Sequence, residues 1–284
     1  MKIFVAGASG VIGRCLLPQL LQAGHEVIGM TRKEEQKQII EQTGAKAIVA
    51  DVFDAEQMAA ILTDIKPDVV IHQLTALSEG SSIENARIRI EGTRNLVDAV
   101  KQAKVQKMIA QSISWAYEPG ATPAIEETAL DIDAPMPRHT TINGIVALEE
   151  AVKEIPEYVI LRYGTLYGPA TWYDKNGATA EKVKKQEVEA TDGISSFVHV
   201  EDAAHAALLA LDWSTGTYNI VDDEPAKGTD WLPMYADALH APVPNIQSGA
   251  SPWERGASNS KAKSESGWEL KYPTWRTGFL QSLR

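Results

Sequence analysis

The stretch KIFVAGASGVIG, residues 2–13, decides the fold of this chain. Lys2–Ala6 is a short apolar run, typical of a strand buried on both faces. A helical spacing of apolar residues follows a few positions later. Between them, Gly7 permits a sharp turn, Gly10 lets backbone N–H groups approach a diphosphate, and Gly13 lets the helix pack closely on the strand. This arrangement predicts a dinucleotide-binding turn.

The same alternation of strand and helix continues to residue 161. Ser81, with Glu84 three residues on, forms a capping-box pair that begins a long helix. Strands that alternate with helices pair in parallel through right-handed crossovers. The chain therefore predicts an α/β fold, a Rossmann-type doubly wound parallel sheet with helices on both faces and a small C-terminal substrate lobe. The later strands are predicted at Glu26–Met30, Lys46–Ala50, Asp68–His72, Lys107–Gln111, Tyr158–Leu161, Phe197–Val200 and Tyr218–Val221.

The pattern changes after Tyr167. Residues 170–195 show no sustained period, and the tail from Asp222 is rich in proline and tryptophan. Short helices joined by proline turns suit a lobe that closes over a ligand. We expect an NADP-binding Rossmann domain at 1–169 plus 196–221, and a substrate-binding lobe at 170–195 plus 222–284.

The end of the second strand indicates which nucleotide is bound. A fold that prefers NAD usually ends this strand in an acid that holds the ribose 2′-OH. Here Thr31, Arg32 and Lys33 follow the strand, and the first acid is Glu34. Arg32 can pair with a 2′-phosphate and Thr31 can donate a hydroxyl hydrogen bond. We therefore predict NADP(H) rather than NAD, the alternative being that these charges are only the solvated start of a helix.

Composition excludes several classes of function. The net charge of −11 and the absence of a basic stripe argue against a nucleic-acid partner. The single cysteine, Cys15, fits a reducing compartment, and no run of eighteen apolar residues suggests a membrane span. No metal-ligand spacing occurs. These features predict a cytoplasmic protein with a small-molecule substrate.

Several motifs together resemble the extended short-chain dehydrogenase/reductase superfamily, the NAD(P)-dependent epimerase/dehydratase group. Besides the glycine turn they are Asp51-Val52, the segment 70–75, the segment 92–96, the segment 161–169 and the segment 197–202. The resemblance implies a cofactor site, and by analogy a homodimer. The predicted cofactor-binding residues are Gly7, Ser9, Gly10, Val11, Ile12, Gly13, Thr31, Arg32, Asp51, Val52, Leu74, Thr75 and Tyr163.

The catalytic part of the resemblance is incomplete. In that family a tyrosine protonates or deprotonates the alcohol oxygen, and a lysine four residues on lowers the tyrosine pKa and holds the nicotinamide ribose. If Glu149 matches the family's helix glutamate, Thr141 and Ile145 stand at these two positions, and Arg89 replaces a central-helix asparagine. Threonine cannot act as an acid near neutrality.

The remaining candidates for catalysis lie near the end of the fifth strand. Ser112 is expected to hydrogen-bond the substrate oxygen, and Tyr117 is the preferred stand-in for the missing acid, with a pocket-wall aromatic as its simpler interpretation. His139 is more typical of a helix cap, and Tyr163 is expected to lie against the nicotinamide. His72 is expected to be a buried histidine at the end of a strand.

Three functions stay open at this point. The first is an NADP-dependent oxidoreductase that transfers hydride to or from a small or medium carbonyl or alcohol substrate. The second is a catalytically inactive NADP(H)-binding sensor or scaffold, which the absent tyrosine and lysine suggest. The third, a nucleotide-sugar epimerase or dehydratase, needs the same missing pair.

Overall fold

The structure is a computed structural model that describes residues 1–77, 81–265 and 267–283. Its strands are β1 (Lys2–Ala6), β2 (Glu26–Thr31), β3 (Lys46–Val49), β4 (Val69–His72), β5 (Lys107–Ile113), β6 (Glu157–Tyr163), β7 (Thr165–Tyr167), β8 (Ile194–Ser195), β9 (Phe197–His199), β10 (Gly216–Ile220) and β11 (Ala226–Lys227). Within the described residues, a seven-stranded sheet has the order β10-β6-β5-β4-β1-β2-β3.

Helices follow most of these strands. They are α1 (Val11–Gln22), α2 (Lys37–Glu41), α3 (Ala55–Ile65), α4 (Ser82–Arg87), α5 (Thr93–Gln102), α6 (Arg138–Val152), α7 (Ala178–Lys184), α8 (Val200–Leu209), α9 (Gly228–Ala238), α10 (Ser260–Ser264) and α11 (Trp275–Ser282). A short π-helix, Ile88–Gly92, joins α4 to α5. The Ser81 half of the predicted capping box is observed, because the Ser81 hydroxyl accepts a hydrogen bond from the Glu84 backbone N–H at 3.2 Å.

The central strands pair in parallel. Ile3 of β1 is in register with Val27 of β2 and with Val69 of β4, and Val69 is in register with Lys107 of β5. The carboxyl ends of these strands therefore meet at one edge of the sheet, where ligands bind in open α/β sheets. The predicted doubly wound parallel fold is confirmed.

The described chain divides into two compact units, each with its own core. One unit comprises Met1–Ser112, Leu130–Leu161 and Ala207–Thr217, and the other Ile113–Ala129, Arg162–Ala206 and Tyr218–Arg284. The first has a mainly aliphatic core that includes Val70, Leu96, Met108 and Ile160, with Phe4 among them. The core of the second is aromatic and includes Tyr167, Phe197, Trp231, Tyr235, Trp275 and Phe279.

Some predicted elements differ from those observed. The sequence predicts a second helix over 33–43, but Glu34–Gln36 forms a 3₁₀ turn and α2 covers only Lys37–Glu41. The aperiodic segment 170–195 contains α7, which is too short for a hydrophobic period to emerge in the sequence. Among the described residues, no helix has the length and apolar character needed to cross a bilayer.

Candidate functional site

The turn after β1 contains two positions where only glycine fits. Gly7 has a φ of +86°, and a Cβ there would lie 2.5 Å from the Gln73 carbonyl oxygen. A Cβ at Gly13 would lie 2.4 Å from the Ala8 carbonyl oxygen. Gly10 precedes α1 and offers no side chain to cap its first N–H groups. A diphosphate fits this cradle, because the backbone can approach it closely and the positive end of a helix dipole faces it.

A hydrogen-bonded cluster connects the turn to the end of β2. The Ser9 hydroxyl donates to Gln36 Oε1 at 2.7 Å, and the Thr31 hydroxyl donates to the same oxygen at 3.2 Å. Thr31 is buried, whereas Arg32 is exposed. The hydroxyl that was predicted to meet a 2′-phosphate is therefore directed to Gln36, and Arg32 is the group exposed at the strand end. The role of Gln36 was not predicted, because no local pattern links it to the turn.

The other predicted nucleotide residues lie at the carboxyl ends of β3 and β4. The Asp51 carboxylate accepts a hydrogen bond from the Phe53 N–H at 3.0 Å, and the Val52 carbonyl accepts one from the Asn95 amide at 3.0 Å. The Leu74 carbonyl accepts one from the Gln111 amide at 2.7 Å. The side chains of Leu74, Thr75 and Val11 are half-buried, and those of Val52 and Ile12 are buried.

Helix α6 carries neither tyrosine nor lysine between Arg138 and Val152. Thr141 is half-buried and Ile145 is fully buried. Farther along the helix, the buried Glu149 carboxylate accepts a hydrogen bond from the Ser112 hydroxyl at 2.7 Å. The structure thus directs the hydroxyl of Ser112, the predicted substrate contact, to a buried carboxylate in α6.

Tyr117 is enclosed in the second unit. It is 1% exposed, its hydroxyl donates to Asn219 Oδ1 at 2.5 Å, and the Arg162 guanidinium lies 4.9 Å from the centre of its ring. Burial raises the pKa of Tyr117 to about 12. These surroundings disfavour loss of the phenolic proton near neutral pH. Nearby, the Tyr163 carbonyl accepts a hydrogen bond from the Ser114 N–H at 2.9 Å, and the Tyr163 side chain is buried.

The second unit also contains a cavity of about 190 Å³, which we call the tryptophan cavity. The ring centroids of Trp115 and Trp253 lie 6.0 Å apart in its wall. The loop at 118–122 is held by Arg255, whose guanidinium donates to the Thr122 carbonyl at 2.6 Å and to the Glu118 carbonyl at 3.1 Å. The cavity is lined by Ser114, Trp115, Tyr117, Thr165, Ile194, Ser195, Ser196, Trp253, Glu254, Arg255 and Gly256.

Histidines and acids elsewhere have packing roles. His72 is fully buried, as predicted, and its Nε2 lies 2.9 Å from the Thr93 hydroxyl. Asp202 accepts hydrogen bonds from the backbone N–H groups of Lys271 and Tyr272 at 2.8 and 2.9 Å. His139 is exposed at the start of α6. In the part of the chain that the structure describes, no cluster of three potential metal-ligating side chains occurs.

Comparison with known proteins identifies the family. Residues 3–221 match the model of the NAD dependent epimerase/dehydratase family. The chain is 37% identical to a 3-diazoavenalumate denitrifying reductase of a Streptomyces species, over 98% of this chain and 99% of that protein. This chain belongs to the NAD dependent epimerase/dehydratase family.

Solved structures agree with the fold expected of this epimerase/dehydratase chain. UDP-glucose 4-epimerase from Thermotoga maritima superposes with a TM-score of 0.78 at 22% identity, covering 99% of this chain and 97% of that one. The UDP-glucose 4-epimerase of Thermus thermophilus, solved as a complex with NAD, gives a TM-score of 0.76 at 24% identity, covering 99% and 97%. The predicted resemblance to the extended short-chain dehydrogenase/reductase superfamily is confirmed.

Proposed function

We propose that this epimerase/dehydratase chain is an NADP(H)-dependent reductase whose acceptor takes a hydride but needs no proton from a tyrosine–lysine pair. The observation that carries the proposal is helix α6. Thr141 and Ile145 stand where the family resemblance expects the pair, and neither side chain ionises near neutral pH. Tyr117 does not substitute well for the acid, because its buried hydroxyl is hydrogen-bonded and its pKa is raised to about 12.

The cofactor part of the proposal depends on two observations. The glycine turn accommodates a diphosphate, since side chains at Gly7 and Gly13 would fill the space that the backbone needs. Arg32 is exposed directly after β2, where an acid would favour NAD. A guanidinium at this place favours a 2′-phosphate, which it can bind in a bidentate manner.

The absent pair narrows the class of acceptor. Reduction of a carbonyl group leaves an alkoxide that must be protonated, whereas reduction of a diazonium ion to an arene does not require a separate proton. Bound NADPH supplies the hydride, so that Ar–N₂⁺ + NADPH gives Ar–H + N₂ + NADP⁺: the C–N electron pair leaves on N₂, and the hydride pair forms the new C–H bond. The name of the 37% identical relative describes a reductase that removes nitrogen from a diazo compound.

The tryptophan cavity supports an aromatic acceptor. Trp115 and Trp253 present two indole rings, which can stack on a planar ring and attract a cation through their π-faces. A volume of about 190 Å³ suits one benzenoid ring with a short substituent. We therefore propose arenediazonium ions as the substrate class, in place of the carbonyl or alcohol expected from the family.

The experiment that tests this function is anaerobic incubation of the purified protein with NADPH deuterated at C4 and a set of benzenediazonium salts. We expect NADPH oxidation, release of N₂, and deuterium at the arene carbon that carried nitrogen. A diazonium ion is a strong electrophile that can accept hydride from free NADPH, so the background rate is measured with a G13V variant, in which an added Cβ would clash with the Ala8 carbonyl oxygen. If the wild type oxidises NADPH no faster than G13V with every diazonium salt, the proposed reductase activity is refuted.

The alternative is a catalytically silent NADP(H)-binding sensor or scaffold, which the same absence of tyrosine and lysine in α6 favours. Tight NADPH binding with no turnover of either diazonium or carbonyl compounds would support it. An epimerase or dehydratase is less consistent with α6, because these activities require the pair that the helix lacks.

A further inference from the structure

Arg89 is a buried cation to which the proposed function assigns no role. It lies in the π-helix Ile88–Gly92 and is 5% exposed. Within residues 1–77, 81–265 and 267–283, the structure shows neither a hydrogen bond nor an ion pair to its guanidinium. Because the Arg89 side chain is only 5% exposed, little water reaches its charge, and a ligand that supplies hydrogen-bond acceptors would stabilise it. π-Helical turns also occur frequently at functional sites.

The neighbours of Arg89 place it beside α6. A Cβ at Gly144 would lie 3.4 Å from Arg89 Cδ and 3.2 Å from Ala86 Cα, so the absence of a side chain at Gly144 lets the two helices approach. Gly144 directly precedes Ile145, where the family resemblance expects a lysine. Arg89 therefore brings a positive charge to the part of α6 from which the lysine is missing.

His72, unlike Arg89, carries no positive charge. Burial, and then the nearby positive charge of Arg89, lower the pKa of His72 to about 4, so its imidazole is neutral at physiological pH. Burial also lowers the pKa of Arg89, to about 10, which leaves the guanidinium protonated. Of these two side chains, Arg89 is thus the cation and His72 a neutral hydrogen-bonding group.

We infer that Arg89 binds oxygen atoms of the ribose that carries the nicotinamide, and so replaces a lysine at position 145. The inference depends on the pyridine-nucleotide site of the proposed function, but not on the diazonium substrate. A guanidinium offers five N–H donors in a planar fork, which suits a pair of adjacent hydroxyl oxygens. Because Tyr is absent from α6, Arg89 holds the ribose without tuning a catalytic phenol.

The first test is NADPH affinity measured by calorimetry without any substrate. We expect R89M to weaken NADPH binding by about tenfold or more, as for loss of hydrogen bonds from a charged donor. The matched control is R87A, because Arg87 lies two residues away but is exposed and paired with Glu91. R87A should change the dissociation constant by less than about twofold.

Thermal unfolding distinguishes a ligand-binding arginine from a structural one. Removal of an unpartnered buried charge should leave the melting temperature of ligand-free R89M equal to or above that of the wild type, while the stabilisation by NADPH decreases. A second variant, R89M with I145K, returns a cation to α6 and should recover part of the NADPH affinity.

One outcome would overturn the assignment: R89M with unchanged NADPH affinity. If R89M then also shows an increased KM for a diazonium ion that bears a carboxylate, Arg89 binds the substrate instead. Weakened NADPH binding in R89M, in a protein that reduces no diazonium ion, would leave the inference standing and refute only the proposed reaction.

Discussion

The glycine turn before α1 and the helix α6 belong to the same unit and differ in how far they follow the family pattern. The turn keeps its glycines at 7, 10 and 13, and backbone atoms close to two of them exclude any side chain. Helix α6 has a buried Glu149, but carries Thr141 and Ile145 where the resemblance expects a catalytic pair. We propose from this contrast that the chain has the family's cofactor-binding geometry without its usual proton-transfer groups.

This difference separates two kinds of constraint. A turn that cradles a diphosphate is specified by backbone sterics, so its sequence signature is short and strict. A helix that presents catalytic side chains needs only its buried face to remain packed, and Ile145 satisfies that requirement as an apolar residue. Substitutions on such a face can change the reaction while the fold and the cofactor site remain.

The largest expected effect comes from G13V in the turn. A Cβ there would lie 2.4 Å from the Ala8 carbonyl oxygen, so α1 must shift and the cradle must open. We expect NADPH binding to fall below detection in calorimetry. The control is G24N, since an added Cβ at Gly24 has no atom within 4 Å, and asparagine tolerates the positive φ of this position. Normal NADPH affinity in G13V would show that the turn is not the diphosphate site.

R32A should have the next largest effect. A charge-assisted hydrogen bond to the 2′-phosphate contributes about 1.5–3 kcal/mol, so NADPH affinity should fall about 10- to 150-fold while NADH affinity stays constant. Fluorescence titration with both nucleotides measures this, with K37A as a control, because Lys37 pairs with Glu34. Equal losses for the two nucleotides would contradict the preference for NADP(H).

The sequence predicted the turn and the burial of His72, because each depends on residues within one local segment, and it predicted the parallel sheet from the repeated alternation of strands and helices. It did not reveal that Thr31 donates to Gln36 or that Ser112 donates to Glu149. The second pair is separated by 37 positions, and only tertiary packing brings the two side chains together. Such long-range hydrogen bonds leave no periodic signal in a sequence.

S112A tests what the α6 contact contributes. Loss of the donor leaves the buried Glu149 carboxyl without this hydrogen bond, which should lower the free energy of unfolding by about 1–3 kcal/mol. Urea denaturation measures the loss, and kcat should remain nearly constant. E149Q is the control, since its amide oxygen still accepts from Ser112. A decrease in kcat/KM of about a hundredfold with unchanged stability would instead assign Ser112 to the substrate.

The smallest expected effect is that of Y117F. Its hydroxyl contributes one buried hydrogen bond to Asn219, so the free energy of unfolding should fall by about 1 kcal/mol. Because burial raises the pKa of Tyr117 to about 12, above the usual value near 10, the wild type should lose stability as the pH rises through this interval, whereas Y117F should not. The pH profile of kcat between about pH 6 and pH 9 should be the same in both proteins, since the phenol stays protonated throughout this range. If instead kcat of the wild type decreases at high pH and this decrease disappears in Y117F, the Tyr117 phenol is the missing acid. The contrast between the glycine turn and α6 would then mean that the acid has moved to another element, not that it has been lost.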